Sequence, residues 1–216
     1  MKISDLQPQV IAIYGGRFHP FHHGHASAYK ELASKFGINN TYIASSGKVE
    51  PNKSPFSFDE KKAMIQATGI NPSQVIEEPV PYNPKVLPTA LGLDPNTDVM
   101  VFGVGSKDMQ EDPRFQFTPL KNGSPSYFQK YTGGKMKPFT NDKGEGTERP
   151  GHGYIYPVKD YKFTVAGQTA GSASEIRSMF ASGSTEEQER IVKDLYPNAD
   201  EGLQKKILSI FSRRLT

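Results

Sequence analysis

Residues 10–25 read VIAIYGGRFHPFHHGH, and the fold follows from how that stretch divides. Its first five residues form an unbroken apolar, β-branched run, the composition of a strand buried on both faces as in a parallel sheet. Gly15 and Gly16 end the run. Four of the chain's five histidines, His19, His22, His23 and His25, then crowd into seven positions. Behind them Ala26, Tyr29, Leu32, Ala33 and Phe36 recur at helical spacing, and Gly37 supplies a stop. Buried strand, glycine turn and amphipathic helix make up the first half of a βαβ crossover.

Working outward, the rhythm repeats. Residues 41–44 (TYIA) read as a second strand. Ser57-x-x-Glu60 is a capping box ahead of Ala63, Met64, Ile65 and Ala67, closed by Gly69. Residues 73–76 and 98–104 (DVMVFGV) follow as strands three and four, and residues 154–158 (YIYPV) as another. The alternation predicts an α/β fold: a Rossmann-like doubly wound parallel sheet with helices on both faces. Between about 106 and 153 the periodicity is lost among Gly, Pro, Lys and aromatic residues. That exceeds the ~12–15 residues of ordinary loops and is expected to be an irregular insertion or lid. Ser184-x-x-Glu187 opens a helical tail in which Leu203, Ile207, Ile210 and Phe211 share a face. The expected division is a main domain over residues 1–183, including the insertion, and a C-terminal helical tail over 184–216.

Composition narrows the function. There is no Cys, hence no disulfide framework and no thiolate metal site, and a cytoplasmic protein is the expectation. No leader pattern appears and no apolar run approaches the ~20 residues of a membrane span. A net charge of +3 is too small to imply nucleic acid by itself and suits small phosphorylated substrates.

The histidine cluster sits where open α/β sheets bind ligands, at the carboxyl end of a parallel strand. A helix N-terminus there offers free N–H groups and the positive end of a dipole, and imidazole N–H groups add donors for an anion. Zinc is the competing reading, since His22-x-x-His25 spans one helical turn. A zinc site needs three or four ligands, Cys is absent, and His152 lies in the irregular segment. Phosphate handling is therefore preferred, with no protein metal site.

The stretch GGRFHPFHHGH also resembles the G-x-F-x-P-x-H-x-G-H signature of the HxGH nucleotidyltransferase superfamily (cytidylyltransferase-like), with Gly16, Phe18, Pro20, His22, Gly24 and His25 at its six fixed positions. The wording is most similar to archaeal-type nicotinamide-mononucleotide adenylyltransferases, as is NKSPFS at residues 52–57. Residues 171–177 (GSASEIR) resemble the I-S-x-T-x-x-R element of the superfamily, with Ser172, Ser174 and Arg177 in its roles. The resemblance implies transfer of a nucleoside monophosphate from a nucleoside triphosphate, ATP favoured over CTP, to a phosphorylated small molecule such as nicotinamide mononucleotide, releasing pyrophosphate. It implies that His22 and His25 contact the triphosphate around its α-phosphate and that Arg177 grips the β- and γ-phosphates. Gly15, Gly16, Arg17, Phe18, Gly24, Gly103, Gly105, Asp108, Ser172 and Ser174 are expected to line the nucleotide site, and Mg2+ to be held mainly by the triphosphate. The alternatives are a cytidylyltransferase acting on glycerol 3-phosphate or phosphocholine, and a non-catalytic nucleotide- or RNA-binding module. The resemblance also allows a homo-oligomer, since relatives commonly assemble as dimers or larger rings. In the insertion, Tyr127, Phe128, Tyr131 and Phe139, with Lys130, Lys135 and Lys137, are expected to stack on a larger acceptor. They are also the composition of a single-stranded nucleic-acid surface, although no RNA-binding motif accompanies them.

Overall fold

A computed structural model describes residues 8–51, 53–123, 125–140, 152–170 and 172–216. Six strands, β1 (Val10–Gly15), β2 (Thr41–Ser45), β3 (Val75–Glu77), β4 (Val99–Gly105), β5 (Phe128–Lys130) and β6 (Gly153–Val158), form one sheet in the order β3-β2-β1-β4-β6-β5. Every pair in it is parallel. The direction of winding reverses between β1 and β4, so the crevice at their carboxyl ends is the topological switch point of the sheet. A small antiparallel hairpin, β7 (Phe163–Val165) with β8 (Gln168–Ala170), stands apart.

Helices α1 (His23–Phe36) and α2 (Phe58–Ala67) follow β1 and β2, as their caps foretell; the Ser57–Glu60 capping box is formed. Leu32 of α1, Met64 and Ile65 of α2 and Ile43 of β2 join one buried cluster. Gly103 allows this approach, because a Cβ there would collide with Leu32. The same cluster takes in Ile176 and Phe180 of α5 (Ala173–Ser182), Leu195 of α6 (Thr185–Leu195) and Phe211 of α7 (Glu201–Leu215). Glu60 accepts from Arg213 at 2.7 Å and Arg214 at 3.0 Å, fastening the end of α7 to the start of α2. The opposite face of the sheet carries Ile13, Phe102 and Ile155 and is covered by Leu87 of α3 (Val86–Ala90), by Phe115 and by Met109 of α4 (Ser106–Glu111).

The segment expected to be irregular differs in part. It contains α4, a 3-10 turn at Pro113–Phe115 and the edge strand β5, which pairs with β6 in the register Phe128 opposite Gly153. Three-residue elements are too short for periodicity to reveal, and the Lys, Pro and Gly around them mask them further. Phe128 and Phe139 are 5% and 1% exposed and pack against the sheet, so neither stacks on an acceptor. Residues 124 and 141–151 of this segment, Asn52 and Gly171 lie outside the described residues. Among the described residues no helix is long and apolar enough to cross a membrane.

Candidate active site

The loop after β1 delivers His22 to the N-cap of α1 and His25 to its first turn. The backbone N–H of His22 donates to Nδ1 of His25 at 3.3 Å. An imidazole that accepts through Nδ1 carries its proton on Nε2 when neutral, so this cap fixes the tautomer of His25. The two rings stack with centroids 3.6 Å apart and planes 23° from parallel. His22 is 7% exposed; burial, then the charges of His25 and His23, lower its pKa to about 2. Burial lowers His25 to about 3. Both rings are therefore neutral N–H donors near neutral pH. Phe18 (5.0 Å, edge-to-face) and Phe21 (5.3 Å, tilted) flank His25, and Phe163 lies 4.5 Å from His22.

Two cations from other elements act on this loop, Arg177 of α5 and Lys61 of α2. Nη1 of Arg177, on α5, donates to the carbonyl of His19 at 2.5 Å across 158 residues of chain. Four guanidinium donors remain beyond that bond. The His19 ring is 4% exposed, lies 5.9 Å from Phe56 in a stacked arrangement, and neither ring nitrogen has a hydrogen-bond partner among the described residues. Burial and the fields of Lys61, Arg177 and Arg17 lower His19 to about 3. Lys61 of α2 is fully buried and its Nζ donates to the Ser46 carbonyl at 2.5 Å. Burial lowers its pKa to about 8, with Glu77 opposing and Arg17 adding to the shift. In the sequence Lys61-Lys62 resembles solvated surface. The signal for Lys61 was its place one helical turn before Met64 and Ile65, on the apolar stripe of α2.

The remaining predicted residues fall into two groups. Beside the imidazoles, the Gly15 carbonyl accepts from the Tyr82 hydroxyl at 2.8 Å, and Arg17 is exposed. Phe18 is buried at φ 50°, against which a Cβ on Gly16 would clash at 2.6 Å. A Cβ on Gly24 would stand 2.9 Å from the Tyr161 carbonyl, so glycine lets the loop after β6 cross the helix start. Glu31 holds that loop, accepting from the Lys159 N–H at 3.1 Å and the Tyr161 hydroxyl at 3.0 Å. At the start of the helix that carries Arg177, Ser172 caps α5, its Oγ accepting from Glu175 N–H at 3.2 Å, and Ser174 is exposed in the first turn; no bond joins either serine to the imidazoles among the described residues.

The second group lies at the carboxyl ends of β4 and β6. Gly103 is occupied by packing against Leu32. Gly105 faces Asp160, whose Oδ1 would be 3.0 Å from an added Cβ. Burial, then Asp160, Asp112 and Glu111, raise the Asp108 carboxyl above its ordinary range. The Tyr14 hydroxyl is raised by burial and then by Tyr82, Asp108 and Asp160, which places the end of β1 beside this acidic group. Asp160, unremarked in the sequence, belongs with Asp108. Among the described residues no group of three or more His, Cys, Asp or Glu is placed to hold a metal ion.

A family model described as cytidylyltransferase-like matches residues 13–114. Over those residues the chain is similar to that family. The matched residues run from β1 through the histidine loop to α4, so α5 and Arg177 lie beyond them. The fold is similar to that of a bifunctional NMN adenylyltransferase/ADP ribose pyrophosphatase from Francisella tularensis, at 18% identity and a TM-score of 0.55, covering 97% of this chain and 53% of that one. A structure of that enzyme complexed with AMP and a Mn ion gives 17% identity, a TM-score of 0.52 and coverage of 97% and 52%. The chain thus spans about half the length of these two. Plasmodium falciparum nicotinic acid mononucleotide adenylyltransferase aligns at 14% identity and a TM-score of 0.48, with coverage of 94% and 96%. No curated protein sequence matches the chain.

Proposed function

We propose that this protein is a nucleotidyltransferase, favouring ATP, that transfers a nucleoside monophosphate to a phosphorylated small molecule of the nicotinamide-mononucleotide type. The observation carrying the reading is the pair of neutral, face-to-face imidazoles at the start of α1, with Arg177 brought to the same loop from the far end of the chain.

An oxygen of the acceptor phosphate attacks the α-phosphorus, the bond from that phosphorus to the bridging α–β oxygen breaks, and pyrophosphate leaves with the bonding pair. The protein's task is alignment and charge stabilisation rather than covalent chemistry. His22 and His25 donate N–H groups to the α-phosphate oxygens, and the N–H groups and dipole of α1 add to them. Arg177, Lys61 and Arg17 hold the pyrophosphate end, where Arg's fork donates bidentately. Asp108 accepts from ribose hydroxyls. The imidazole, guanidinium and ammonium groups fit a phosphate chain and are poor ligands for a hard cation. Mg2+ carried by the triphosphate would supply further neutralisation of its oxygens.

The test is pyrophosphate release from ATP, CTP, GTP and UTP over a panel of phosphorylated acceptors. Release with ATP and a mononucleotide is expected. Release only with CTP and a phosphorylated alcohol would replace the substrate assignment. Nucleotide-induced thermal stabilisation without release from any pair would replace catalysis with binding.

A further inference from the structure

The hairpin β7–β8 belongs to neither sequence motif, yet it reaches the imidazole pair. Val165 and Ala170 are buried and anchor it in the core, while Phe163 is half-buried at its other end. Its turn is tied down where the Ala166 N–H donates to Oδ2 of Asp194 at 2.8 Å. The carbonyl of the same Asp194 meets Nε2 of His23 at 3.0 Å, so one residue of α6 sets both the hairpin and the start of α1. Registered in this way, the Phe163 ring lies on His22, centroids 4.5 Å apart and planes 33° from parallel, while His25 occupies the far side at 3.6 Å.

An imidazole flanked by two rings has little freedom at χ1 and χ2 and little water beside it. We propose that Phe163 is a positioning residue for His22: delivered by the β7–β8 hairpin, its ring keeps that imidazole desolvated and parallel to His25, with its free N–H directed at the phosphate site. The inference rests on the proposed nucleotidyl transfer for its consequence but not for its geometry. The charged or titratable groups acting on His22 are His25 and His23 of α1; β7 and β8 contain Phe, Thr, Val, Gln and Ala and contribute none. Removing the ring admits water without altering any charge, so the protonated imidazole becomes easier to form.

The test uses Phe163→Ala, Phe163→Leu and Phe163→Tyr in the full chain, read by NMR of the His22 ring at pH 7.5 without nucleotide and by steady-state kinetics. In Phe163→Ala the His22 ring is expected to gain cross-peaks to water and to lose those to the His25 ring, because the face that Phe163 covers is opened. Its kcat is expected to fall by about tenfold while the nucleotide KM stays within about twofold, the pattern of a lost alignment. Phe163→Tyr keeps a flat ring and is expected to retain the wild-type spectrum and rate. If Phe163→Ala does not fold, Phe163→Leu carries the test with the same direction. A folded Ala or Leu variant in which the His22 ring stays shielded from water and keeps its cross-peaks to His25 overturns the proposal. Should the wild type release no pyrophosphate from any nucleotide, the functional reading fails, and the His22 spectrum still decides this one.

Discussion

The hydroxyl of Tyr196, on the fully buried ring that ends α6, donates to the carbonyl of Phe21 at 2.7 Å across 175 residues of sequence. The helical tail thereby holds the backbone one residue before His22. Tyr196→Phe leaves a buried carbonyl without this donor, and a stability loss of about 1–3 kcal/mol is expected in urea denaturation. Turnover is expected to drop about threefold to tenfold because the imidazole loop loosens. An unchanged midpoint together with unchanged turnover would show that the bond holds nothing.

His25 has two separable jobs. Its Nδ1 accepts the cap bond from His22, and in the proposed mechanism its Nε2–H donates to the α-phosphate. His25→Ala removes both and is expected to cost at least ~10²-fold in kcat, the scale of one preorganised donor. His25→Asn offers an amide oxygen in place of Nδ1, so stability should remain within about 0.5 kcal/mol while most of the rate is lost. Near-wild-type pyrophosphate release by either variant would remove His25 from the mechanism.

Three histidines resist protonation in the folded chain: His22 at about 2, His19 and His25 at about 3. In the unfolded chain each takes a proton near pH 6.5. Below that value the unfolded state binds more protons than the folded one, so stability is present above about pH 6.5 and is lost as pH falls toward 3. The slope per histidine approaches about 1.4 kcal/mol per pH unit. Denaturation midpoints measured from pH 7.5 to 4.5 should fall steeply, and more shallowly in His19→Phe. A flat profile would mean that these rings are already solvated.

Lys61 is a buried cation that folding would be better without. Lys61→Met is expected to raise stability by about 1–3 kcal/mol, by removing the cost of desolvating an ammonium. It is also expected to weaken pyrophosphate and nucleotide binding about tenfold or more. The ammonium is present below its pKa of about 8, so wild-type affinity should decline as pH rises through that value, and the variant should lose this dependence. Calorimetric titration with pyrophosphate at pH 7 and pH 9 checks both claims.

The sheet was legible because its inner strands carry their own signal. Val10–Gly15 and Val99–Gly105 are buried on both faces and read as unbroken apolar runs, and Ser57–Glu60 announces α2 through its own cap. Phe128–Lys130 gave no such signal, because three residues at a sheet edge gain their conformation from pairing with β6 rather than from local pattern. The imidazoles were found because spacing along one loop is a local property. Lys61 was missed because it resembles ordinary surface until other elements pack over it, and Asp160 because only the fold sets it beside Asp108.

The amino-acid order alone determined the inner strands, the helices that follow β1 and β2 and the loop that carries the imidazoles, since hydrophobic period, caps and glycine turns act over a few residues. Tertiary structure decided the rest: that Arg177 meets His19, that Lys61 is buried, that Phe163 covers His22 and that Phe139 belongs to the core. Desolvation and charge interaction depend on distance through space. No local pattern encodes which distant segments close around a side chain, and that closure makes these histidines neutral donors instead of solvated bases.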